Sequence, residues 1–236
     1  MYGYGYGYYG FDWTYVLLII GMLLSLAAST RLKSTFYYYR KIRSASGLTG
    51  AETAERILRA AGITDVHVRA ISGSLTDHYD PRTKTVSLSE DIYDKTSLAA
   101  VGVAAHECGH AIQHAIGYAP LEFRSAIVPV ANFGSTLSWP LFLIGLFSGI
   151  RPLVTAGIVL FSLAVLFQLV TLPVEINASS RALKMLQSTG ILGSDETKGA
   201  RKVLTAAAMT YVAALAASIL QLLRLLILAG GRRRDD

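Results

Sequence analysis

Charge is scarce in this sequence of 236 residues. Asp, Glu, Lys and Arg make up 16% of it, where a soluble domain carries about 25%. Disorder requires much charge and few apolar residues, so a hydrophobic content of 52% excludes it. A mean hydropathy of +0.42 argues against a plain soluble domain as well. Cysteine is nearly absent. Cys108 stands alone, so no intrachain disulfide can form, and a structural zinc site built from several cysteines is ruled out. No Lys or Arg precedes the first apolar run, which removes the positive leader of a signal peptide. Acidic charge is also in deficit, with 16 Asp+Glu against 22 Lys+Arg and a net charge of +6. The cations flank apolar blocks instead of forming one face. They therefore read as membrane orientation and not as a nucleic-acid surface.

What is present is a series of apolar blocks. Residues 1–12, MYGYGYGYYGFD, alternate Tyr and Gly and read as a flexible N-terminal arm whose rings suit the lipid headgroup level. Residues 13–29 carry no charge and are just long enough for a spanning helix. Arg31, Lys33, Arg40, Lys41 and Arg43 follow, which places the N-terminus outside and residue 30 onward in the cytoplasm. Residues 126–147 and 152–174 are again uncharged and are joined by the short link SGIR, the pattern of a membrane hairpin. Residues 175–202 are polar, and Glu175 is expected to open a new helix, EINASSRAL. The stretch 203–229 reads as a fourth span or a buried helix, because Arg224 interrupts it. Residues 30–123 hold 11 Lys+Arg and residues 175–202 hold five, so both segments belong on the cytoplasmic side.

Residues 30–123 read as a small folded domain. Thr49 is placed to cap a helix through AETAERILRAA that Gly62 ends. VHV at 66–68 is strand-like, and LTDHYDPRTKTVSLSE reads as two strands around a DPRTK turn. TSLAAVGVAAHECGHAIQHAIG is a long helix, capped at Thr96 or Ser97 and ending at Gly117.

That helix carries His106-Glu107-Cys108-Gly109-His110, an HExxH sequence. Residues four apart share a helix face, so both imidazoles can reach one metal ion, with Glu107 beside a water on it as general base. With five histidines in the chain, a shuffled sequence contains about 0.003 such matches. A third ligand is needed. His114, Glu90, Glu122 and Glu175 are the candidates. Glu175 stands out because it follows a 23-residue uncharged run, where a carboxylate is costly unless paired or metal-bound. Ala178 and Ser179 put small residues on its face, so another helix can approach closely.

HECGHAIQH, then PVEINASSRAL two spans later, resembles the YugP-like neutral zinc metallopeptidases. DHYDPRTKTVSLS, the GVAAHE lead-in and LTAAAMTYVAAL fit as well. That family is similar in turn to HtpX-type and CAAX-prenyl-type membrane metalloproteases. The resemblance covers nearly the whole chain after the Tyr/Gly arm. It implies one Zn2+ held by His106, His110 and Glu175, and peptide hydrolysis by a zinc-activated water with Glu107 as general base. Two positions depart from the HtpX pattern: Ser179 stands where an acidic residue is usual, and Cys108 where an aliphatic one is common. Arg181 or Asn177 are then candidates for supporting the ligands. His78, Tyr79, His114 and Arg181 are candidates for supporting the metal site or binding substrate.

The expected architecture is α+β, mostly helical: a multi-span α-helical membrane protein with a small zincin-like metalloprotease domain. The expected function is a membrane-bound zinc metalloendopeptidase of the plasma (inner) membrane, its active site on the cytoplasmic side. It would act on peptides or proteins, membrane proteins among them, in membrane protein quality control. The bilayer is its other partner, and no nucleic acid is expected. Two further readings are an intramembrane protease of the site-2 type and a non-catalytic metal-binding membrane scaffold. The absence of any Asp-Gly pair counts against the first, and an intact Glu107 against the second, since a structural site needs no base.

Overall fold

A computed structural model describes residues 12–231. The Tyr/Gly repeat and the C-terminal Arg232, Arg233 and Arg234 lie outside the described residues. In chain order the elements are α1 (Tyr15–Tyr39), α2 (Gly50–Ala60), β1 (His67–Ile71), β2 (His78–Asp80), β3 (Thr85–Ser89), α3 (Leu98–Ala115), α4 (Ala119–Ser148), α5 (Arg151–Ser188) and α6 (Ser194–Gly231).

Local chemistry sets several of these boundaries. The Thr49 side chain accepts from the Glu52 backbone N–H while the Glu52 carboxylate accepts from the Thr49 backbone N–H, which closes a capping box on α2. Gly62, at φ +71°, turns the chain out of that helix. The Ser97 side chain accepts from the Ala100 N–H and caps α3, and Gly117 at φ +62° follows its end.

The three strands form one sheet in the order β1-β3-β2. β3 runs parallel to β1, with Val68 opposite Val86. It runs antiparallel to β2, with Tyr79 opposite Val86. β3 is buried along its whole length, while β2 keeps one edge without a strand partner among the described residues. A single core joins Phe36 of α1, Ile57 and Leu58 of α2, Val86 and Leu88 of β3, Val101 and Ala104 of α3, Leu186 of α5 and Val203 of α6. Burying each large apolar side chain contributes roughly 1.5–3 kcal/mol.

Helices α1, α4, α5 and α6 are long and apolar enough to cross a membrane. α1 has 25 residues, and at about 1.5 Å per residue it exceeds a bilayer core of about 30 Å. Its last turns therefore extend beyond the apolar stretch and dock Phe36 into the core. α1 and α6 lie side by side, with Gly21 against Ala217 so closely that an added Cβ would stand 3.1 Å from the Ala217 methyl. Arg224, which interrupts the last apolar run, is 8% exposed. Its Nε donates to Thr14 Oγ1 at 3.3 Å, its Nη2 lies 3.9 Å from Asp12, and its guanidinium sits 4.6 Å from the Tyr15 ring centroid.

One boundary differs from the sequence expectation. The change from apolar to polar composition suggested a new helix opening at Glu175. Instead α5 continues unbroken from Arg151 to Ser188, with Pro173 inside it. Glu175 is thus a mid-helix residue and gains no first-turn stabilisation from a helix dipole.

Candidate active site

His106 and His110 project from one face of α3, one turn apart, and their rings meet edge-on with centroids 4.8 Å apart. α5 crosses α3 at this point. The crossing is possible because position 109 is glycine: a Cβ there would collide with the Ala178 carbonyl oxygen and stand 3.0 Å from its carbon. Ala178 follows Glu175 by three residues, so the close crossing delivers the Glu175 carboxylate to the histidines. Glu175 Oε2 lies 3.3 Å from His106 Nε2 and 3.5 Å from His110 Nε2. One ligand atom from each of the three residues lies within 4.8 Å of the others.

These residues fit a zinc ion. Ligands at about 2.0–2.1 Å around a tetrahedral ion stand about 3.3–3.4 Å from one another, and the carboxylate-to-imidazole distances here are of that size. Each imidazole is also held through its other nitrogen. His110 Nδ1 is bonded to Gln113 Oε1 at 3.0 Å, and His106 Nδ1 to Ser179 Oγ at 3.1 Å. Because an amide oxygen can only accept, His110 donates from Nδ1 and keeps the Nε2 lone pair for a metal. Gln113 in turn donates to the Val174 carbonyl at 2.9 Å and to Asn177 Oδ1 at 3.0 Å. Arg181 Nε also donates to Asn177 Oδ1, at 2.7 Å. Arg124 Nη1 stands 3.5 Å from Glu175 Oε1, the oxygen not facing the histidines.

Glu107 is 7% exposed and lines a cleft of about 160 Å³ together with His106, Glu175, Ser179, Asp77 and Tyr211. Burial pushes its carboxyl up from the usual carboxylate range, against the pull of His106 and His110. A base matched to neutral pH benefits from that direction. Burial also raises Asp77, against the pull of its own hydrogen bonds: its carboxylate accepts from the Ser89 N–H at 2.7 Å and from the Ser89 hydroxyl at 3.1 Å. The rest of the cleft is apolar, with Leu32 and Phe36 from α1 facing Leu204 and Ala207 from α6.

The remaining sequence candidates lie elsewhere. His78 Nδ1 is bonded to the Thr76 carbonyl, and neither His78 nor Tyr79 lines the cleft. The Tyr79 hydroxyl pairs with His114 Nδ1 at 2.9 Å, and burial lifts its phenol to about 12. His114 lies outside the three-ligand cluster. Arg181 reaches the site only through Asn177. Sequence reasoning passed over Gln113, Arg124, Asp77 and Tyr211. Gln113 had a signal, since it lies three residues after His110 and shares its helix face. Asp77 and Tyr211 lie within the DHYDPRTKTVSLS and LTAAAMTYVAAL stretches that carry the resemblance, which marks the stretches and not the individual residues, and Arg124 had no signal.

The sequence profile of the family described as "Putative neutral zinc metallopeptidase" matches residues 14–230. A relative in Bacillus subtilis (strain 168), named "Putative membrane protease YugP", is 49% identical over 217 residues, which cover 92% of this chain and 96% of the relative. No solved structure matches the chain. With four helices long and apolar enough to cross a membrane, the chain belongs to this family of neutral zinc metallopeptidases.

Proposed function

We propose that this protein is a membrane-bound zinc metalloendopeptidase in which His106, His110 and Glu175 hold one Zn2+ and Glu107 is the general base. The observation that carries the reading is the convergence of three ligand atoms within 4.8 Å on a cleft that Glu107 also lines. When bound, zinc supplies a Lewis acid that lowers the pKa of water to about 7. Glu107 takes a proton from the attacking water and passes it to the leaving amine. Gln113 holds His110 in the required tautomer, and Ser179 fixes the orientation of the His106 ring. The free edge of β2 is suited to pair with an extended substrate as an added strand.

The position of the cleft supports one substrate class. Leu32 and Phe36 lie just past the uncharged run 13–29, so the cleft opens where α1 leaves its apolar stretch. Peptide segments of membrane proteins emerging at that surface are the substrates that fit, which agrees with a role in membrane protein quality control. The 11 Lys+Arg of residues 30–123 and the five of residues 175–202 favour a multi-pass protein with this surface on the cytoplasmic side. α3 is not one of the four apolar helices, which speaks against a site-2-type protease, whose HExxH lies in a span.

The test is zinc stoichiometry on detergent-purified protein combined with hydrolysis. Wild type should bind about one zinc, Glu122→Ala should keep it, and Glu175→Ala should lose it. Glu107→Gln should keep zinc and lose hydrolysis by about 100-fold or more. Zinc retained by Glu175→Ala would overturn the ligand set. Zinc-loaded wild type that cuts no peptide would favour the scaffold.

A further inference from the structure

Attack on a peptide carbonyl drives negative charge onto its oxygen, and a preorganised donor aimed there is often a large contribution to the rate. The polar side chains lining the cleft are Asp77, His106, Glu107, Glu175, Ser179 and Tyr211. Three are carboxylates, which when ionised donate nothing. His106 faces Glu175 through Nε2 at 3.3 Å and Ser179 through Nδ1 at 3.1 Å, so both His106 and Ser179 are engaged. The Tyr211 phenol is the one remaining donor among the described lining residues. It enters from α6 and lines the same cleft as Glu107 and the candidate ligands His106 and Glu175. Ala207 and Ala208, one turn earlier on α6, are small and leave room in the cleft next to the ring.

We propose that Tyr211 is a catalytic residue whose phenolic O–H donates a hydrogen bond to the scissile carbonyl oxygen as its charge develops. The inference rests on the peptidase reading above. Tyr211 keeps its proton throughout. The water oxygen bonds to the carbonyl carbon, the C–N bond breaks, and the water proton taken by Glu107 goes to the amine nitrogen. α6 is then part of the active site and not only a membrane helix.

Tyr211→Phe removes one oxygen and preserves the ring. It is compared with wild type as full-length, zinc-loaded protein in detergent, with fluorescein-casein as the substrate probe. Loss of one such donor should lower kcat by about 10²–10³-fold, with KM within about twofold, which is the signature of an interaction made only in the transition state. Bound zinc should stay at the wild-type level. Calorimetric binding of N-phosphoryl-leucyl-tryptophan, a phosphoramidate that mimics the tetrahedral state, should weaken by a similar factor. A kcat within threefold of wild type overturns the assignment. Loss of zinc from Tyr211→Phe also overturns it, because Tyr211 would then act by positioning Glu175. Wild type that leaves casein uncut overturns the peptidase reading and this inference together. An active wild type with an unimpaired Tyr211→Phe overturns this inference alone.

Discussion

Gly109→Ala is the sharpest perturbation available, because helix propensity and site geometry give opposite answers. In an isolated helix the change stabilises by about 1 kcal/mol. Here the new methyl would collide with the Ala178 carbonyl oxygen and stand 3.0 and 3.1 Å from the Ala178 carbonyl carbon and Cα, where 3.4 Å begins ordinary contact. These are backbone atoms, so no side chain can turn aside. α3 and α5 must part by roughly 0.5 Å or more, and overpacking of this kind costs about 1–3 kcal/mol. Glu175 moves with α5, whereas zinc–ligand distances tolerate only about 0.2 Å. Zinc affinity should therefore fall by about 100-fold, the upper end of what disturbed ligand support produces. At a zinc concentration 100 times the wild-type Kd, stabilisation by the ion should shrink from about 2.7 to about 0.4 kcal/mol. Chelator-competed zinc titration and thermal unfolding with and without zinc read both quantities. Gly102→Ala is the control on the same helix: its methyl would sit 3.5 Å from the Ala200 Cβ, an ordinary contact, and should leave zinc binding unchanged. A Gly109→Ala protein that binds zinc as tightly as Gly102→Ala would refute the close-crossing account of the site.

Three further outcomes are expected. Gln113→Leu removes the His110 and Val174 partners and should weaken zinc binding by about 10–100-fold, measured by the same competition. Asp12→Asn withdraws the carboxylate near buried Arg224 and should lower the thermal midpoint in detergent more than Asp195→Asn, whose partner Lys198 is exposed. Cys108 is fully buried, and burial pushes its thiol upward, so the thiolate is absent near neutral pH. An aromatic disulfide reagent at pH 8 should react with it only after denaturation, and prompt reaction in the folded protein would contradict its placement.

Legibility followed the range of the interactions. The Thr49 and Ser97 caps were readable because cap and partner lie three residues apart. The apolar runs were readable because a membrane demands length and composition together. The extent of α5 was not, since a helix that leaves the bilayer can stay helical while its side chains turn polar. His106, Glu107 and His110 are patterned by one helix face, and Glu175 was flagged by the expense of a carboxylate after 23 uncharged residues. Tyr211, Arg124 and Asp77 reach the site from three separate elements. Their convergence depends on how α3, α4, α5, α6 and the sheet pack, and no local spacing encodes that. Ser179 was read as a departure from an acidic pattern, and its hydroxyl proves to be the group bonded to His106.

The pairing of α1 with α6 has a consequence for how the protein is made. The three candidate ligands are all synthesised by residue 175, but the cleft beside them is walled by Leu32 and Phe36 on one side and Leu204 to Tyr211 on the other. A ribosome-bound chain that has not yet released α6 can gather its ligands yet has no enclosed groove in which to hold a peptide. On the peptidase reading, the groove that would hold a peptide is therefore complete only once the last helix is in place.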